Sequence, residues 1–173
     1  MANELYTRTN QKIYFAGLAL EAMDKARASQ SLNAQGIEQA EREAAIFHLY
    51  GGLLGLCHEI AGFYRLPLSN AAHAEALLDP QVLAAHPIPE LGELVELAQQ
   101  RETWLANLLG AYNGLFEPPQ AARPAKGDVT QPLIVAVAVD DEETASLSRD
   151  DLESWRRQLK ELVIRFREGL SEC

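Results

Sequence analysis

Residues 44–64, "AAIFHLYGGLLGLCHEIAGFY", are the most apolar run of the chain and constrain its fold more than any other stretch. The run is long, free of proline and rich in Leu, Ile and Ala, which makes it a helix. At about 100° per residue, Ile46, Phe47, Leu49, Tyr50, Leu53, Leu54, Leu56, Cys57, Ile60 and Tyr64 cover a broad arc. His48, Gly51, Gly52, Gly55, His58, Glu59 and Gly62 cover the narrower arc opposite. A helix with so little polar surface belongs at the centre of a bundle. Each interior glycine costs about 0.5–1 kcal/mol relative to alanine, so a stripe of them needs compensation. A neighbouring helix can supply it by approaching closely and gaining dispersion contacts. A ligand lying in the groove can supply it too, and His48, Gly52, Gly55, His58 and Glu59 are then the binding candidates. Close packing is the commoner cause.

The remaining periodic segments extend the same picture. Residues 3–29 place Tyr6, Ile13 and Leu20 at heptad spacing, joined by Ala16, Gly17 and Met23. "SQSLNAQG" breaks that helix, and the central one is expected from about Asn33 to about Arg65, before Pro67. "NAAHAEALLD" predicts a short helix over roughly 70–79, capped by Ser69 or Asn70. "HPIPELGEL" opens a further long helix, with Pro89 in its first turn and an apolar face from Leu91 through Leu105 to Leu115. Arg101 and Glu102 interrupt that face, and Asn10 sits near the face of the first helix; all three are candidates for buried register-fixing pairs or, alternatively, for the lining of a pocket. The last helix starts at Ser148, with Asp151 three residues on, and carries Leu152, Trp155, Leu159, Leu162, Val163, Phe166 and Leu170. The tryptophans and tyrosines lie on or beside these stripes and are expected in the core.

"PLIVAVAVDDEE" departs from the pattern, being β-branched from Leu133 to Val139 and then abruptly acidic. It is expected to be extended, either as a strap along the bundle or as a strand paired with a second copy. The expectation is thus an all-α fold: a single domain over 1–173, an antiparallel bundle of four long helices plus one short helix. A Pro/Ala-rich connection at about 117–132 and an extended apolar segment near 133–139 complete it.

Charge and cysteines exclude several functions. A net charge of −10 repels phosphate backbones, so neither nucleic acid nor an anionic membrane is an expected partner. The Arg and Lys residues of the last helix are interspersed with acids and need no nucleic-acid role. Cys57 within an apolar arc and Cys173 at the end make no disulfide framework. "MANELYTRTNQKIYF" lacks the apolar core of a signal peptide. Glu59 interrupts the apolar run before it reaches the roughly 20 residues of a membrane span. A soluble cytoplasmic chain is therefore expected.

No catalytic constellation, cofactor motif or metal motif is visible. Ligands on one helix sit at i and i+3 or i+4, and neither His48 nor His58 has an acidic, His or Cys partner there. His48 and Glu59 are roughly 16 Å apart along the axis. GxSxG, CxxC and Gly-rich phosphate loops are absent.

Two resemblances add to this reading. "MANELYTRTNQKIYFAGLALEAM" followed by "FHLYGGLLGLCHEIAGFY" resembles a family of short uncharacterised bacterial proteins, which implies a bacterial cytoplasmic origin and no particular activity. Arg42 and His48, in "REAAIFH", are similar in spacing to the R-x(4–6)-H motif of HEPN-type helical-bundle ribonucleases. That resemblance implies Arg42 positioning a phosphate and His48 moving a proton. Glu43 stands where that family usually has Asn or Asp, and the motif falls early in the chain rather than late. The function expected first is a non-enzymatic module that binds a protein partner or itself, for instance as a homodimer. Ligand binding along the Gly51/Gly52/Gly55/Gly62 stripe and a HEPN-like RNA activity are the alternatives.

Overall fold

The computed structural model describes residues 2–118 and 147–171. The segment 133–139, the acids that follow it, most of the connection at 117–132 and Cys173 lie outside the described residues. The fold is all-α, with no strand among the described residues. Its spine is a hairpin of two long helices, α1 (Ala2–Ser29) and α2 (Ala34–Phe63). A 3₁₀ turn (Ala74–Ala76) and α3 (Pro80–Ala85) lead to α4 (Pro89–Gln99) and α5 (Trp104–Gly114), and α6 (Arg149–Ser171) completes the bundle.

Side-chain pairs fix the directions. Arg27 meets Glu38 at the top of the hairpin, while Leu5 lies against Gly62 at its foot, so α1 and α2 are antiparallel. Arg149 bonds Asp24 at 3.1 Å, Arg156 lies over Gly17, and Arg167 reaches Tyr6, so α6 also runs antiparallel to α1. Leu152, Trp155, Leu159, Leu162, Val163, Phe166 and Leu170 of α6 are all buried, as the periodicity requires.

Two segments differ from the sequence expectation. The long helix from Pro89 to Leu115 is broken at 100–103. Thr103 causes the break: its hydroxyl accepts from Ala106 N at 3.2 Å, capping α5, and donates back to the carbonyls of Leu97 and Gln100. Arg101 and Glu102 are consequently exposed turn residues and not buried register pairs. The bundle therefore has no single fourth long helix. Residues 70–79 make only the 3₁₀ turn, because Asp79 is itself a cap. Its carboxylate accepts from Gln81 N at 2.8 Å and starts α3 with Pro80 in the first turn.

The other termini follow their residues. Ser148 and Asp151 cap α6 reciprocally, each side chain taking the other's backbone N–H at 3.0–3.1 Å. The end of α2 closes with Leu66 N on Ala61 O at 2.8 Å and Arg65 N on Gly62 O at 3.3 Å, with Arg65 at φ 55°. By length and composition α2 could cross a membrane, but 67 % of its most apolar window is buried inside the fold. Burial among the other helices accounts for that apolarity.

Candidate functional site

The glycine stripe of α2 is filled by α1 and α6. A Cβ at Gly52 would lie 3.1 Å from Leu159 and 3.2 Å from Ile13. One at Gly51 would lie 3.1 Å from Lys12, and one at Gly55 only 2.6 Å from the Thr9 hydroxyl and 3.3 Å from the Thr9 backbone. The stripe is where α1 comes close enough for backbone and side chain to touch.

What this approach delivers is a partner for the one buried carboxylate among the described residues. Glu59 has a fully buried side chain, which is costly unless paired. Arg167 of α6 grips it with both arms of its fork, Nε to Oε2 at 2.8 Å and Nη2 to Oε1 at 2.7 Å. Thr9, buried against Gly55, donates its hydroxyl to Oε1 and also to the Leu5 carbonyl. Arg167 in turn donates to Asn10 Oδ1 at 2.9 Å and to the Tyr6 carbonyl, and its guanidinium lies 4.4 Å from the Tyr6 ring centroid. Asn10 thus does pair, although it is exposed. Three helices are joined through one carboxylate.

His48 lies well away from Glu59. Its ring sits edge-on to Phe15 (5.4 Å between centroids) and to Phe47 (5.7 Å). Its Nδ1 is buried without a hydrogen-bond partner among the described residues. Burial first, and Lys12 second, hold the imidazole below its ordinary pKa, in the neutral form. His58 lies elsewhere again, with Nε2–H donating to the Ala71 carbonyl at 2.8 Å. Arg42 bonds Gln39 at 2.5 Å and Glu38 at 3.3 Å. Burial pushes the Cys57 thiol up to about 12, leaving no thiolate at neutral pH. Among the described residues no group of three His, Cys, Asp or Glu side chains could hold a metal ion.

The chain is matched over residues 1–173 by the model of a family of unknown function. It belongs to the DUF6586 family. No curated protein and no solved structure matches it.

Two further features of this DUF6586 chain bear on function. From His48 a series of aromatic contacts crosses three helices: Phe15 of α1, His48 and Phe47 of α2, then Tyr112 of α5 and Phe116 in the turn that follows it. Tyr112 also stacks on Tyr50 at 3.6 Å, and Tyr50 accepts from Ala74 N and donates to Glu75. Phe47 is 46 % exposed and Phe116 70 %. Lys12 sits 5.1 Å from the Phe47 ring centroid. The second feature is a cavity of about 560 Å³ at the foot of the hairpin, lined by Leu5, Tyr6, His58, Glu59, Gly62, Phe63 and Ser69 among others. Gly52 and Gly55 do not open onto it.

Of the functional candidates, Glu59 and His58 meet at this cavity and His48 does not. Sequence reasoning missed Thr9, Arg167, Tyr112 and Phe116. One signal was available: a carboxylate in the most apolar helix demands a cation from a neighbour, and an Arg at the edge of an apolar stripe supplies it without deprotonating.

Proposed function

We propose that the chain is a non-enzymatic self-associating module whose contact surface is the aromatic face of α1, α2 and α5. The observation that carries this reading is the exposure of Phe47 and Phe116 within a continuous series of rings. Large aromatic side chains lose little entropy on contact and concentrate binding energy. A second copy is the occupant we assign: the exposed rings can pair with their own copies across a two-fold axis, an apolar contact that has to outweigh the self-repulsion of a chain of net charge −10, with Glu43 and Glu117 exposed beside Phe47 and Phe116.

Sedimentation velocity over a hundredfold range of concentration, about 1–100 μM, tests it. A dimer that dissociates on dilution and weakens at least about tenfold in Phe47→Asp supports the reading. A monomer throughout ends it.

A second reading rests on the 560 Å³ cavity. An apolar molecule with a hydrogen-bonding group would lie against Leu5 and Phe63 and reach Ser69 or Asn70. A ligand-induced rise in melting temperature that Gly62→Trp abolishes supports this; a fragment screen without a shift dismisses it. Nothing favours the ribonuclease alternative, since Arg42 is spent on Glu38 and Gln39 while His48 is neutral among rings.

A further inference from the structure

Beside the break at 100–103 lies a cavity of about 440 Å³, closed on its far side by the N-terminal half of α6. Its volume falls in the range of small-molecule sites, about 300–1,000 Å³. α6 lends it one face, with Asp151, Ser154, Trp155 and Gln158 at i, i+3, i+4 and i+7. Opposite them stand Glu102 of the break and, one turn apart on α5, Trp104 and Asn107. Both tryptophans of the chain therefore line one cavity. Trp155 is 6 % exposed and belongs to its floor, while Trp104 is only partly buried. The polar groups around them keep free capacity. Ser148 donates only to Oδ2 of Asp151, and Gln158 spends one N–H on the Ser154 hydroxyl at 3.3 Å. The side chains of Glu102 and Asn107 have no hydrogen-bond partner among the described residues. No Lys, Arg or His is among the described residues that line the cavity.

We propose that this cavity binds a neutral sugar, a pyranose ring lying on Trp104 with its hydroxyls on the flanking amides and carboxylates. A pyranose has C–H faces that rest on an aromatic ring and a rim of hydroxyls, each both donor and acceptor. The lining answers both needs. Glu102 and Asp151 accept, Ser154 does either, and the amides of Asn107 and Gln158 donate and accept. Charge narrows the class. Two carboxylates without a cation in the lining, on a chain of net charge −10, repel phosphorylated and acidic sugars. A simple organic cation would suit the carboxylates and the tryptophans. It would leave Asn107, Gln158 and Ser154 unmatched, and a wholly apolar molecule would strand all the polar groups. The site uses neither Phe47 nor Phe116 nor the cavity at the foot of the hairpin, so it stands apart from the function proposed above.

The two tryptophans are also the reporters. The full chain is titrated with glucose, galactose, N-acetylglucosamine, maltose and cellobiose, each to about 50 mM, and tryptophan fluorescence is followed. At least one of these sugars should give a saturable change with a Kd of about 1–10 mM. Sorbitol, which has the hydroxyls but no ring face, should give none. Trp104→Ala should abolish binding of the responding sugar, read by titration calorimetry. Asn107→Ala, at an exposed position, should weaken it at least about tenfold at an unchanged melting temperature, which keeps the test open should Trp104→Ala disturb the fold. A panel without a saturable response overturns the inference. So does an equal response to sorbitol, and so does binding that survives both Trp104→Ala and Asn107→Ala. A saturable response to tetramethylammonium chloride in place of the sugars assigns the cavity to cations and overturns it as well.

Discussion

At the scale of single residues, the glycines of α2 and α5 look alike in sequence and differ in what surrounds them. A Cβ at Gly55 collides with Thr9, while one at Gly110 meets nothing within 4 Å. Gly55→Ala should therefore destabilise by about 1–3 kcal/mol, and Gly110→Ala should stabilise by about 0.5–1 kcal/mol; urea unfolding of the two variants separates them. His48 carries a pH dependence of definite sign. Its folded pKa lies below the ordinary value, so the unfolded chain takes up the proton first. The stability it contributes is whole above about pH 6.5 and is lost as pH falls through that value toward the folded one. Unfolding free energies measured between about pH 7.5 and pH 5.5 should decline less steeply in His48→Phe than in the parent. Cys57, buried with its thiol pushed up to about 12, should resist thiol reagents in the folded state. With Cys173 replaced by Ser, labelling should proceed only at the rate of opening.

At the scale of elements, periodicity made the long helices legible and capping chemistry decided where they stop. The boundaries of α1, α2 and α6 followed from apolar spacing, and the Ser148/Asp151 cap was readable as a pair. The break between α4 and α5 was not, because Leu105 and Leu108 continue the stripe of Leu91 and Leu94 across it. Only the Thr103 hydroxyl, turned back on Leu97 and Gln100, ends one helix and begins the next. Asp79 hid a helix start in the same way by following an apparent helix. The C-terminus of α2 uses Arg65 where glycine is usual. Arg65→Gly should raise stability by about 1 kcal/mol, measured by thermal unfolding.

At the scale of the whole molecule, the candidate site was legible as a composition and not as a geometry. Four glycines beside Glu59 announced that something lies close to α2. That it is Thr9 and Arg167, from segments 50 and 108 residues away in the chain, depends on how three helices assemble. The rings were less legible still, since Tyr112 reads as an ordinary member of the apolar stripe that ends at Leu115, and Phe116 lies just beyond it. On the function proposed above, the bundle is held through Glu59 and presents its aromatic face to a second copy, and Glu59 serves to join α1, α2 and α6. A double-mutant cycle on Glu59→Gln and Arg167→Met, followed by urea unfolding of the full chain, tests this most directly. Each single change should cost about 3 kcal/mol or more, and the double variant should recover about 2 kcal/mol of their sum. Costs that add to within about 0.5 kcal/mol, or a Glu59→Gln chain as stable as the parent, would contradict it.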